Sequence, residues 1–158
     1  MAVWQFTLFL LPASDARMGE AGLIRLSPEQ VDGIVLTMPT DEVFETFDRL
    51  GPLLPEAKSW DAKLRMWGDA KTDDIQIWFD DDRVESVQFR LNAHGTSPAL
   101  VEGICAIARD LGCVLASQEG AIIQPTSEAL SRMLSQSPAT KFVRDPQGYL
   151  KGVETIPD

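Results

Sequence analysis

At 158 residues the chain sits near the commonest domain size, long enough to bury roughly two-thirds of its unfolded surface, so a single domain over 1–158 is expected. Its 44% apolar and 24% charged content lies outside the disordered regime. The net charge of -10 works against the counterion release that nucleic-acid binding depends on, and no apolar run approaches the ~20 residues of a membrane span.

The first segment alternates with period two, Trp4, Phe6, Leu8 and Leu10 against Gln5 and Thr7, which predicts a half-buried strand. No Lys or Arg precedes it and Pro12-Ala13-Ser14 makes a poor cleavage region, so it is not read as a secretion signal. Residues 12–39 carry repeated Gly and Pro and predict short elements, with Leu23–Leu26 and Ile34–Thr37 as strand candidates. Thr40 is placed as the cap of a helix whose first turn carries Asp41 and Glu42. Val43, Phe44, Phe47 and Leu50 form its apolar stripe, and Gly51 ends it.

Three strands are then expected, Leu64–Trp67, Ile75–Phe79 and Val84–Leu91, the last two joined as a hairpin by Asp80-Asp81-Asp82-Arg83. Ser97-Pro98 opens a helix that Gly112 closes, with Leu100, Ile104, Ile107, Ala108 and Leu111 on its core face. A second hairpin follows, Cys113–Ser117 with Ala121–Gln124 around Gln118-Glu119-Gly120. Pro125-Thr126 introduces a helix with Leu130, Met133 and Leu134 inward, and Ser137-Pro138 starts another that carries Phe142 and Val143 and stops at Asp145-Pro146. Grouped strands and separated helices predict an α+β fold, an antiparallel sheet of about five to seven strands with three or four helices packed on it. The helix beginning at Pro98 is expected to lie across that sheet.

Little in the chain suggests catalysis. His94 is the only histidine, which removes every two-His metal motif, and the two cysteines, Cys105 and Cys113, cannot build a disulfide framework or a Cys-rich zinc site. Low cysteine usage suits a reducing cytoplasm. No nucleophile elbow, phosphate loop, dinucleotide fingerprint or calcium loop occurs, and the adjacent Asp80, Asp81 and Asp82 point in different directions, so neither cofactor nor metal is assigned. The one small-ligand alternative is His94 with Thr96 and Ser97, where a helix N-terminus favours anions, although Pro98 removes one amide.

Partner binding has more to recommend it. Residues 41–85 hold 13 acidic and 6 basic side chains, a field that steers a basic partner. If Ile75, Ile77 and Phe79 face the core, strand alternation turns Trp78 and Gln76 outward. Arg65 with Trp67, and Gln88 with Arg90, are placed on the same outward face. Aromatic and arginine side chains among neutral polar groups have the composition of interface hot spots. The competing expectation is that residues 12–39 or a helix cover this face.

Near the C-terminus, Ser137-Pro138-Ala139 followed by Phe142-Val143-Arg144-Asp145-Pro146 and Tyr149-Leu150 resembles the ending of small acidic bacterial proteins encoded beside secreted toxins. That resemblance implies an immunity protein, which neutralises a toxin by binding it in the cytoplasm, and it carries no contact residue with it. The expected function is therefore a non-enzymatic module that binds a basic toxin domain through Trp67, Trp78, Arg65, Arg90, Asp80, Asp81 and Asp82. The alternatives are the His94 ligand site and a homodimer formed through the tryptophan face.

Overall fold

A computed structural model describes residues 5–14, 26–69, 71–92 and 95–136. Among them are eight strands, β1 (Gln5–Pro12), β2 (Met38–Pro39), β3 (Glu56–Ala57), β4 (Leu64–Gly68), β5 (Asp74–Asp80), β6 (Arg83–Asn92), β7 (Cys113–Ser117) and β8 (Ile122–Ile123). The helices are α1 (Pro28–Asp32), α2 (Thr40–Asp48), α3 (Pro98–Asp110) and α4 (Ser127–Gln136). All strands form one antiparallel sheet in the order β3-β4-β5-β6-β1-β7-β8, with β2 added on β6. The α+β class is as expected, and the two-residue strands raise the count above seven.

Strand β1 lies in the middle of the sheet and is buried on both faces, because Gln5, Thr7 and Leu11 are enclosed as well as Phe6, Leu8 and Leu10. The larger core fills the space between one face of the sheet and α2, α3 and α4. There Ile75, Ile77, Val87, Phe89 and Leu91 meet Val43, Phe47, Leu100, Ile104 and Leu130. A smaller cluster on the opposite face joins Leu11, Val114 and Ala116 to Leu26 and Val31 of the α1 segment. The α1 segment thus covers the β1 and β7 end of that second face and leaves the β4, β5 and β6 end to a mixture of polar, aromatic and aliphatic side chains.

Val84 and Val87 are three residues apart, yet both are buried and both belong to the helix-side core. A strand of period two can achieve this only by inserting a residue. The register supplies it: Trp78 pairs with Ser86 and Phe79 with Val84, so Glu85 is a β-bulge on β6. The β5–β6 hairpin closes from the Asp80–Arg83 pair through Asp81 and Asp82, with Asp81 at φ 54, a left-handed conformation that aspartate tolerates.

The helix α3 has both expected boundaries. Ser97 Oγ accepts from the Leu100 amide at 3.1 Å, Pro98 fills the first position, and Gly112 follows the end at φ +68. In α2 the cap differs from expectation. Pro39 occupies the N-cap without a side-chain bond, and Thr40 is the first helical residue, its amide donating to the Asp82 carbonyl at 2.9 Å. The tertiary partner replaces the local cap. Ile34–Thr37 is not a strand. It passes close to β6, with the Leu36 amide donating to the Glu85 carbonyl at 2.7 Å, before pairing begins at Met38. Leu26 is likewise outside any strand, its amide held by the Gly120 carbonyl at 2.6 Å. Residues 23–25 and the helix expected from Ser137 lie outside the described residues.

Candidate protein-binding surface

The two tryptophans that alternation placed together lie on opposite sides of the sheet. Trp67 is only 1% exposed and packs under the helices, its ring 5.8 Å from that of Phe47. Side chains alternate along β4 as expected, but the set containing Arg65 and Trp67 faces the helices. Trp67 stands opposite Ile75 and Arg65 opposite Ile77, so cross-strand pairing puts both with the aliphatic core residues, while Leu64 and Met66 share the face of Trp78 and Gln76. Periodicity defines two sets of side chains and does not say which one meets the helices.

Arg65 is consequently a clamp at the edge of the core. It donates two bonds to the Glu56 carboxylate at 2.6 and 2.8 Å and one to Asp48 Oδ1 at 2.8 Å. Its guanidinium also lies 4.8 and 4.7 Å from the ring centroids of Phe44 and Trp67. Hydrogen bonding from Arg65 holds the Glu56 carboxyl below its ordinary pKa. Arg90 does lie on the second face, where it forms a two-pronged ion pair with Asp74, itself only 1% exposed. That bond raises the arginine's pKa. Both guanidinium groups are occupied by carboxylates of the chain itself, so neither is a ready contact for a partner.

Trp78 keeps its expected face. It is half-buried and meets Trp60 edge to face, with ring centroids 5.4 Å apart and an interplanar angle of 70°. Trp60 is 67% exposed, the most open large apolar side chain among the described residues. It lies in a loop between β3 and β4, where no periodicity assigns a face. A tryptophan beside polar Ser59 and Asp61, in a stretch with no core pattern, was the available signal.

Met66, Gln76, Gln88 and Ser86 complete the half-buried patch around this pair. At one end stands the Asp74–Arg90 pair. At the other is the acidic hairpin turn, where Asp80 bonds Lys63 at 3.2 Å and raises its pKa, while Asp81 and Asp82 are exposed. Beyond Ser86, directly across from Trp78, the patch runs into a cleft of about 530 Å³ between β6 and the α1 segment.

His94 lies outside the described residues. The hydroxyls flanking that position have local roles: Thr96 Oγ1 donates to Asp73 Oδ1 or the Asn92 carbonyl, at 3.0 and 3.1 Å, and Ser97 caps α3. Asp73 Oδ1 also accepts from the Asn92 amide at 2.6 Å, so these contacts order the approach to α3. A cavity of about 250 Å³ borders Thr96 between α3 and α4. Both cysteines are buried, and burial pushes the Cys105 thiol up to about 11, the reverse of an activated nucleophile. Among the described residues no cluster of His, Cys, Asp or Glu forms a metal-ligand set, and no helix is long and apolar enough to cross a membrane.

Fold and surface together describe an α+β sheet protein with one face sealed by helices and an aromatic, acid-flanked patch on the other. No protein-family model, curated protein or solved structure matches the chain.

Proposed function

We propose that this protein is a non-enzymatic binding module of the immunity type, which neutralises a basic toxin domain in the cytoplasm by docking the Trp60–Trp78 face upon it. The observation that carries this reading is the aromatic pair of exposed Trp60 against half-buried Trp78, set among the polar side chains of Gln76, Ser86 and Gln88. Tryptophan gives large contact area at low conformational cost and dominates interface energetics. The acidic turn beside it supports a cationic partner, since complementary fields accelerate encounter and select against wrong partners. Two copies of a chain with net charge -10 repel one another, which favours a hetero-partner over a homodimer through the same face.

The test uses the toxin domain encoded beside the gene. Calorimetric titration of wild-type protein should give a tight complex, and a Trp60→Ala/Trp78→Ala variant should bind at least about 30-fold more weakly, the scale of a hot spot of 2 kcal/mol. Absence of a wild-type complex refutes the immunity reading. Unchanged affinity in the double variant refutes the face, and a dimer in light scattering that the variant abolishes assigns the face to self-association instead.

A further inference from the structure

The cleft beside Trp78 opens at the Glu85 bulge, which lines it. A bulge bends its strand and re-aims the side chains around it, and β6 loses its pairing with β1 beyond Gln88, where the register ends at Phe9. The α1 segment spans the opening without filling it. Phe9, Val31 and Ile34 form an apolar floor, and Val35, 62% exposed, stands at the rim. Among the described residues the charged lining is one-sided, for it contains Asp32 and Glu85 but no Lys or Arg. Neither Asp32 nor Glu85 forms an ion pair among the described residues, although Lys63 lies within electrostatic reach of Glu85.

An apolar floor beside two carboxylates that form no ion pair among the described residues matches an arginine or lysine side chain, whose aliphatic stem covers apolar surface while its charged head stays at the polar rim. The volume lies within the 300–1,000 Å³ range of ligand sites, room for that side chain and its apolar neighbours. We propose that this cleft receives a basic side chain flanked by apolar residues, projecting from the protein partner whose main contact is the Trp60–Trp78 face. The inference rests on the binding-module reading and adds to it the point of charge recognition. Ser86 joins the two surfaces, since it lines the cleft and pairs with Trp78.

The probe is the peptide acetyl-Leu-Arg-Leu-amide, compared with its counterpart carrying citrulline, the uncharged isostere of arginine. Amide resonances of the full chain in nitrogen-proton correlation spectra should shift saturably at Asp32, Val35 and Glu85 to Gln88 with millimolar arginine peptide, and not with the citrulline peptide. An Asp32→Asn/Glu85→Gln variant should bind the arginine peptide about tenfold more weakly, as expected for two exposed charge contacts. Both positions are exposed, so folding is preserved. Equal shifts with both peptides, shifts confined to Trp60 and Trp78, or no saturable shift would each overturn the assignment. In the toxin titration the two readings separate. If the tryptophan double variant loses binding while the carboxylate double variant does not, the cleft assignment falls and the face stands. If wild-type protein binds no toxin yet the peptide shifts appear as expected, the cleft stands and the immunity reading falls.

Discussion

Replacing Trp67 with alanine, and separately Trp60 and Trp78, tests the division of aromatic residues between core and surface. Trp67 is 1% exposed, packs in a tilted arrangement against Phe47 with ring centroids 5.8 Å apart, and supports the Arg65 guanidinium at 4.7 Å. Truncating a buried aromatic costs about 3–5 kcal/mol through lost transfer energy and the cavity left behind. Loss of the aromatic pair and the cation–π contact places this site toward the upper end. Against a typical total stability of about 5–15 kcal/mol that is a large fraction, and it corresponds to a fall in Tm of about 8–15 °C for a chain of this size. Trp60, 67% exposed, should cost about 0.5 kcal/mol or less. Half-buried Trp78 should cost about 1–2 kcal/mol. Urea titrations followed by far-ultraviolet circular dichroism measure all three, with a constant slope confirming that midpoints report stability. A Trp67→Ala variant within about 1 kcal/mol of wild type, or a Trp60→Ala variant as destabilised as it, would refute the facing assigned to β4. Should Trp67→Ala not fold, Trp67→Phe, which keeps a ring against Phe47, supplies a milder loss in the same direction.

Asp74→Ala leaves the Arg90 guanidinium without its buried partner and should destabilise by about 3 kcal/mol in the same urea assay; a loss under about 1 kcal/mol would show that water replaces the carboxylate. Glu56, with its folded pKa depressed by Arg65, adds stability that is present above its unfolded value near 4.5 and lost as pH falls through the folded value. The Tm of Glu56→Gln should therefore decline less steeply than wild type below about pH 4.5, and parallel profiles would contradict that linkage. Cys105 and Cys113 should resist a thiol-reactive disulfide reagent in the native state and react fully after denaturation, because both are buried and the Cys105 thiol is raised to about 11. Rapid native labelling would mean that the core opens locally.

The sequence by itself determined the parts that local chemistry controls. Ser97-Pro98 and Gly112 bound α3, Asp81-Asp82 turns the β5–β6 hairpin, and the spacing of Leu100, Ile104, Ile107 and Ala108 names the face that reaches the core. These signals act within a few residues, so the chain states them directly. Composition likewise fits a packed domain, with 44% apolar and 24% charged residues.

Only the tertiary structure decided which set of each strand's side chains turns inward. Period two is symmetric between faces, so Trp67 and Trp78 had the same claim to the surface until cross-strand register set Trp67 opposite Ile75 and Trp78 opposite Leu64. The same cause hid the Glu85 bulge, which only the register of β6 against β5 reveals, and the cleft beside it. It also hid the Trp60–Trp78 contact between a loop and a strand 18 positions apart. Faces, bulges and loop contacts are properties of pairs brought together by folding, and no stretch of the chain contains them alone.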